Sequence, residues 1–292
     1  MSGTLYLCAT PIGNLGDMSE RAIETLRTVD LIAAEDTRNS IRLLNRFDIH
    51  TPMTSYHDNN RYDKARTLVK KLEEGVNIAL ITDAGMPGIS DPGEELVKLC
   101  ADAGICVSAV PGASAAPTAL ALSGLPTRRF VFEGFLPREK KERGRILEEL
   151  RNETRTIILY EAPHRLGQTL KALAEVLGGT RRIALCRELT KQHEEIIRTT
   201  IEEAYEMTRD GGARGEYVLV MEGRDIKSLQ DEEQEEWKAL PLSGHVRLYE
   251  EQGYSQKDAM KLAAKDRGLS KREVYAALLK EKTGGNDDYI SE

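Results

Sequence analysis

Residues 78–92 read Ile78-Ala79-Leu80-Ile81-Thr82-Asp83-Ala84-Gly85-Met86-Pro87-Gly88-Ile89-Ser90-Asp91-Pro92. An apolar run suited to a buried strand stops in a loop that holds Asp83 and Asp91, Gly85 and Gly88, Pro87 and Pro92. A helical pattern over residues 93–103 follows. A strand that leads through a turn-rich loop into a helix is the repeating unit of a parallel α/β sheet. The loop contains no Lys or Arg. A phosphate-binding loop normally adds basic side chains to its backbone N–H groups. Carboxylates with close backbone approach suit a neutral or cationic small molecule instead. Asp91 and Pro92 also fit the N-cap and first residue of the next helix. That role leaves Asp83, Gly85 and Gly88 unexplained, so the loop reads as a ligand site.

The alternation extends to both sides of this stretch. Strand patterns at 4–9, 31–34, 77–81 and 106–110 are separated by helical patterns at 19–29, 59–74 and 93–103. Thr37 is placed to cap a helix reaching Phe47, and a small-residue helix runs over 115–122. The pattern predicts a mostly parallel sheet with helices on its faces. In such sheets ligands sit outside the carboxyl ends of the strands. The loops richest in Gly, Pro and Asp, at 10–17, 82–91 and 111–114, each follow a strand, which places them at one sheet edge. Residues 105–127 carry no charge, and Ser114 opens a helix among small side chains. That arrangement suits a flat heterocycle or a ribose; tight helix–sheet packing is the other reading.

Beyond a hinge at 125–127, strand patterns at 130–135, 156–160, 183–186, 195–199 and 217–221 alternate with helical ones and predict a second α/β unit. The acidic stretch 222–236 reads as a linker. After it, Ser255 and Ser270 are N-cap signals for two helices, with Gly268 ending the first, and 284–292 reads as a frayed tail. The expected domains are 1–122, 123–224 and a small helix-turn-helix-like module at 237–285.

Composition bounds the function. A chain of 292 residues with 40% hydrophobic content can bury cores for two or three domains. No run approaches the roughly 18 apolar residues of a membrane span, and the start shows no basic n-region of a signal peptide. Cys8, Cys100, Cys106 and Cys186 form no C-x-x-C pair and read as buried thiols of a reducing cytoplasm. No metal is expected: His193-Glu194-Glu195-Ile196-Ile197 fails the H-E-x-x-H template at its last position. Walker and G-x-G-x-x-G fingerprints are absent, so a nucleoside triphosphate or nicotinamide site is unsupported. The formal charge of −7 does not announce nucleic-acid binding. Charge is nevertheless uneven. Residues 127–145 hold Arg128, Arg129, Arg138, Lys140, Lys141, Arg143 and Arg145 against three acids, and Lys257, Lys261 and Lys265 recur at helical spacing in the C-terminal module.

In the second unit, Tyr160-Glu161-Ala162-Pro163-His164-Arg165 and Arg187-Glu188-Leu189-Thr190-Lys191-Gln192-His193-Glu194 concentrate polar residues at strand ends. They read either as a cleft facing the first domain or as salt bridging across the sheet edge.

Tyr6–Leu7 through Pro11–Gly13, Ala34-Glu35-Asp36-Thr37-Arg38, the loop 82–92, Val110 to Ser114, Tyr160 to Arg165 and Arg187 to Glu194 together resemble the tetrapyrrole methylase family, and more closely its ribosomal-RNA branch. The likeness spans residues 4–221. Porphyrin-modifying relatives favour Gly-x-Gly in the first loop and Gly-Asp-Pro in the second. This chain has Thr-Pro-Ile-Gly and Thr-Asp-Ala-Gly, which points away from a tetrapyrrole substrate.

The resemblance implies two α/β domains with the cofactor cleft between them, a C-terminal helical module that engages RNA, and a homodimer. It implies an S-adenosylmethionine-dependent enzyme that methylates the ribose 2′-hydroxyl of a cytidine in 16S ribosomal RNA of the small subunit. It places Ile12, Asp83, Met86, Ser114, Ala115 and Ala162 at the cofactor, with Pro11, Ala84, Gly85 and Ser90 lining the loops. The charge reading agrees, because S-adenosylmethionine carries a sulfonium and an ammonium that acid-bearing loops attract. A protonated ribose hydroxyl is a poor nucleophile and needs a base. The candidates are Asp36, Glu161 and Glu188, with Arg38, Arg165 and Lys191 orienting phosphate or the 2′-oxygen. A small-molecule or protein acceptor (a tetrapyrrole or the diphthamide precursor) and a non-enzymatic RNA-binding scaffold are the competing readings. The basic segments favour RNA, and the intact acid loop favours an enzyme.

Overall fold

The computed structural model describes residues 2–58, 60–209 and 211–283. Two compact units divide the chain, Met1–Gly223 and Arg224–Glu292.

The first unit opens with β1 (Thr4–Cys8), α1 (Glu20–Thr28), β2 (Leu31–Ala34), α2 (Thr37–Arg46), β3 (Met53–Ser55), α3 (Arg61–Glu73), β4 (Ile78–Ile81), α4 (Gly93–Asp102), β5 (Cys106–Val110) and α5 (Ala115–Ser123). Its strands form a wholly parallel sheet in the order β3-β2-β4-β1-β5. β4 is central, and its continuous apolar run is what burial on both faces demands. Ala79 and Ile81 join Cys8, Leu26, Ile32 and Leu44 under α1 and α2. Ile78 and Leu80 join Leu5, Leu68, Leu72 and Leu96 under α3 and α4. From β1 the chain crosses β4 to reach β2, and from β4 it crosses β1 to reach β5. The two connections thus leave the adjacent strands β1 and β4 in opposite directions over opposite faces of the sheet, and open α/β sheets bind ligands where the direction of winding changes.

Two local expectations change here. The edge strand β3 was not anticipated, since three residues carry no readable alternation. Helix α2 is capped by Asp36 rather than Thr37: the Asp36 carboxylate accepts the Arg38 backbone N–H at 2.8 Å.

A second five-stranded sheet follows, built from β6 (Phe130–Phe135), β7 (Thr156–Glu161), β8 (Arg182–Arg187), β9 (Glu195–Thr200) and β10 (Tyr217–Met221) in the order β6-β7-β10-β8-β9. Only β6 and β7 run parallel; the other pairings are antiparallel. One face, with Ile157, Leu159, Leu185 and Leu219, is covered by α6 (Lys140–Leu150), α7 (Leu166–Leu177) and α8 (Ile201–Thr208). The other face, with Ile158, Ala184, Val218 and Val220, packs against Ala116, Ala119 and Leu120 of α5. The small side chains of α5 serve this close contact. The expected boundary at 122/123 falls inside α5, the helix that fastens the two sheets together.

The second unit holds α9 (Ile226–Ala239), α10 (Leu242–Glu251), α11 (Gln256–Asp266) and α12 (Lys271–Thr283). The acidic stretch expected to be a linker is mostly α9. Glu and Gln are good helix formers, and the Asp225 carboxylate caps the helix by accepting the Ser228 N–H at 2.9 Å. Val246, Ala259, Met260, Ala263 and Val274 form the core of this bundle. Ser255 caps α11, and Ser270 with Glu273 makes the expected reciprocal capping box on α12. Arg267 donates to the Trp237 and Leu240 carbonyls and to His245 Nδ1, so it braces the bundle. The expected tail at 284–292 lies outside the described residues, as do the last residues of the 237–285 module, Asn59 of the helix expected at 59–74, and Asp210. No helix among the described residues is long and apolar enough to cross a membrane.

Candidate functional site

A cleft of about 630 Å³ opens at the carboxyl edge of the parallel sheet, between its loops and the second sheet. The loops that form it are fixed to one another. Thr10 and Gly85 exchange backbone hydrogen bonds at 2.9 and 3.1 Å, joining the loop after β1 to the loop after β4. Gly13 presses against the loop after β8 so closely that a Cβ there would lie 2.4 Å from Lys191 Cγ and 3.0 Å from the Leu189 carbonyl. Only glycine fits that approach. Asp91 holds the loop after β4 in shape: one carboxylate oxygen accepts the N–H groups of Gly88 and Ile89 at 2.7 and 3.0 Å, the other that of Gly93 at 2.7 Å. Asp91 thus has a structural role, but not the expected one: Pro92 rather than Asp91 stands at the N-cap of α4, which begins at Gly93, and Asp91 braces the loop from one position earlier.

The remaining polar groups face the cleft with more freedom. Asp83 accepts one bond from the Asn39 side-chain amide at 3.1 Å. Ser114 sits at the N-cap of α5 without making a side-chain capping bond; Tyr160 Oη instead accepts the Ala116 N–H at 3.2 Å. The carboxylates of Glu35, Asp83, Asp91, Glu161 and Glu216 line the cleft, and no Lys or Arg does. A cleft with low-dielectric walls lined by charge of one sign concentrates ions of the other. Among the described residues the non-glycine positions with positive φ are Asp48, Ser90, Glu188 and Thr190, and the last three stand in the loops that shape this site. Strained backbone of that kind clusters where structure is committed to function.

Most residues expected at a ligand do meet here. Ile12, Asp83, Ala84, Gly85, Met86, Ser90, Ser114, Ala115 and Ala162 line the cleft, while Pro11 precedes the lining by one position. The second set is dispersed. Glu161 reaches the cleft, but its oxygens accept the Ala162 N–H at 2.8 Å and the Thr169 hydroxyl at 2.5 Å, with Arg165 Nε at 3.5 Å. Arg165 donates to the Leu136 carbonyl at 2.8 Å and does not line the cleft. Lys191 bridges Glu188 and Glu216 at 2.9 Å each, and Glu188 also accepts the Glu216 N–H at 2.9 Å. The hydrogen bond from Lys191 holds the Glu188 carboxyl below its usual range. This is the salt-bridging alternative for that strand end. Asp36 pairs with the Arg38 guanidinium at 2.7 Å, which lowers its carboxyl to about 2.

Glu35 was missed as a site residue. It follows β2 as Asp83 follows β4, and its N–H donates to the Ile81 carbonyl at 3.3 Å. Its carboxylate accepts the Asp83 N–H at a long 3.3 Å, the single bond to it among the described residues. Burial pushes its pKa up, and the charges of Asp83, Asp91 and Asp58 add to the rise against that one backbone bond. The signal available in the sequence was an acid just past an apolar strand. His164, Leu189, Tyr217 and Phe135 also line the cleft and were not singled out. Among the described residues no group of three or more His, Cys, Asp or Glu is placed to hold a metal ion.

Comparison with known proteins agrees with this architecture. A family model described as Tetrapyrrole (Corrin/Porphyrin) Methylases matches residues 4–205. The chain is 50% identical over 275 residues to the ribosomal RNA small subunit methyltransferase I of Bacillus subtilis (strain 168), covering 94% of each chain. It is 50% identical over 273 residues to the protein of the same name from Halalkalibacterium halodurans, covering 94% of this chain and 93% of that one. In fold it is similar to the uroporphyrin-III C-methyltransferase of Thermus thermophilus, solved in complex with S-adenyl homocysteine, with a TM-score of 0.53 at 18% identity over 75% of this chain and 97% of that one. The chain belongs to the tetrapyrrole methylase family and, within it, to the group of the ribosomal RNA small subunit methyltransferases I.

Proposed function

We propose that this protein transfers a methyl group from S-adenosylmethionine to the ribose 2′-hydroxyl of a cytidine in 16S ribosomal RNA of the small subunit. The observation that carries the reading is the cleft, lined by carboxylates without a Lys or Arg, in a chain half identical to relatives named for methylating small-subunit ribosomal RNA. When bound, S-adenosylmethionine supplies an electrophilic methyl group on a cationic sulfur. The lining fits a ligand with a sulfonium and an ammonium: Asp83 offers acceptor oxygens, Ser114 a hydroxyl at a helix N-terminus, and Ile12, Met86, Ala115 and Ala162 apolar walls.

The chain's own part is to position the acceptor and remove its proton. Holding the two reactants in line accounts for much of the acceleration in such transfers. Glu35 is the best-placed base. Its carboxyl is raised toward the operating pH and keeps acceptor capacity, which is what general-base catalysis needs. Asp36, lowered to about 2 by Arg38, is a weak base. Glu161 has both oxygens committed to neighbours, and Glu188 is held at Oε1 by Lys191 and the Glu216 N–H. In this reading Arg165 and Lys191 brace the scaffold that carries the site.

RNA contacts are assigned to the exposed Arg128, Arg129, Arg138, Lys140 and Lys141; Arg143, from the same segment, is buried. The C-terminal module adds Lys257, Lys261 and Lys265, which are exposed on α11 opposite the buried Ala259, Met260, Ala263 and Ala264. Replacing these three lysines together by Glu is expected to weaken binding to the small subunit, flatten its salt dependence and spare cofactor affinity. An unchanged salt slope in a filter-binding titration would remove the module from the RNA interface. A cytoplasmic homodimer completes the proposal, and light scattering that returns 32.5 kDa at micromolar concentration would reject the dimer. The decisive experiment incubates the protein with labelled S-adenosylmethionine and unmodified small ribosomal subunits and maps the label. Label on a ribose of 16S RNA is expected; label on protein alone, or none, would overturn the reading.

A further inference from the structure

Phe135 lines the cleft yet has no part in the chemistry so far described. It closes β6, where the pairing with β7 slips between Phe132 and Gly134. Gly134 has φ of +63°, and a Cβ there would lie 2.7 Å from Ser90 Oγ. The bulge is therefore pressed against the loop after β4 at a position whose backbone and close approach favour glycine. Bulges beside active sites re-aim the side chain that follows. Here that side chain is Phe135, 55% exposed at the cleft.

The ring is exposed but braced. Its flank meets the Tyr160 ring edge-on, centroids 5.4 Å apart at 61°. Tyr160 makes a similar contact with Phe132 at 5.0 Å and 69°, and its hydroxyl is fixed by the Ala116 N–H. The chain then runs directly into the exposed cations Arg138, Lys140 and Lys141 at the start of α6. A supported aromatic face beside a line of cations is how proteins hold an unstacked nucleotide: the ring takes the base and the cations take the backbone.

We propose that Phe135 is the platform on which the base of the acceptor nucleotide stacks once it is drawn out of the RNA, with flanking phosphates on Arg138, Lys140 and Lys141. The proposal rests on the RNA-ribose reading above. A ribose inside a helical RNA stack cannot present its 2′-oxygen to the floor of a cleft, and a new stacking partner offsets the cost of leaving the old one.

The test uses full-length Phe135→Ala and Phe135→Trp. Both should bind S-adenosylhomocysteine as the parent does by calorimetry and keep its mass by light scattering. Phe135→Ala should bind unmodified small subunits more weakly in filter-binding assays and raise the KM for them by about ten- to a hundredfold, with a smaller change in kcat, whereas Phe135→Trp should return both to within about threefold of the parent. Parental KM and subunit affinity in Phe135→Ala would overturn the proposal. A matching loss of S-adenosylhomocysteine affinity would overturn it by assigning Phe135 to the cofactor, and a change of mass by assigning it to a contact between copies. If the parent protein binds S-adenosylhomocysteine but labels no ribosomal RNA, the functional reading itself fails, an outcome separate from any effect of Phe135.

Discussion

In the parallel sheet, β2, β4, β1 and β5 all end at the cleft, so residues just past them, Glu35 and Asp83 among them, gather in a lining that holds no Lys or Arg. In the mixed sheet β6, β7 and β8 end at that edge while β10 and β9 begin there. The start of one strand is then brought against the end of another. Glu216, just before β10, meets Lys191 and Glu188, just after β8. The same local signature, charged residues past an apolar strand, is an open acceptor site in one sheet and an internal brace in the other. What decides between them is strand direction, because it determines which loops become neighbours.

The largest expected effect tests the open side of this contrast. Glu35→Gln should lower methyl transfer by roughly 10²- to 10⁴-fold, with S-adenosylhomocysteine affinity unchanged, while Asp36→Asn stays near the parent in turnover. Equal losses in single-turnover assays would erase the distinction between these adjacent acids. Because the Glu35 carboxyl is raised in the fold, its base form accumulates above the ordinary glutamate range. The rate should therefore climb with pH through the raised value, and Glu35→Gln should lose that limb. The sign for stability is opposite. The fold favours the protonated carboxyl, so the stability that Glu35 contributes is present at low pH and declines as pH rises from the ordinary to the raised value. Urea titrations along the pH axis should show that slope vanish in Glu35→Gln.

An intermediate effect is expected at Asp83. Replacing it by Ala should weaken cofactor binding about tenfold to a hundredfold, the range for losing a hydrogen bond to a charged group, in a protein that melts near the parent. Calorimetry returning parental affinity would move Asp83 out of the cofactor site. The smallest effect belongs to the braced side. Lys191→Met should cost about 1 kcal/mol of stability, a fall of roughly 2–4 °C in Tm for a unit of this size, and leave turnover within about threefold. A hundredfold loss of turnover with Tm unchanged would show that Lys191 acts on the substrate after all.

The pattern of what could be read from sequence follows from locality. β4 was legible because burial on both faces writes a continuous apolar run, and the loop after it because acids, glycines and missing cations all fall within fifteen residues. β3 was not, since three half-buried residues carry no period. The segment 222–236 reads as a linker on its charge alone, yet Glu and Gln have high helix propensity and most of it folds as α9. Glu35 was overlooked, although it sits in a quoted motif, because its partner Asp83 is 48 residues away and only the pairing of β2 with β4 brings them together. The partners of Arg165 and Lys191 were hidden for the same reason: Leu136 and Glu216, to which they donate, are distant in the chain.

Helix α5 has its first turn in the cleft and its Ala116 and Ala119 against the second sheet. It behaves as a shim whose thickness sets the gap a ligand must fill. Added volume on that face would pry the sheets apart and carry Ser114 away from Asp83 without altering either residue. The width of the cleft is thus set in part by two methyl groups on the face of α5 that meets the second sheet.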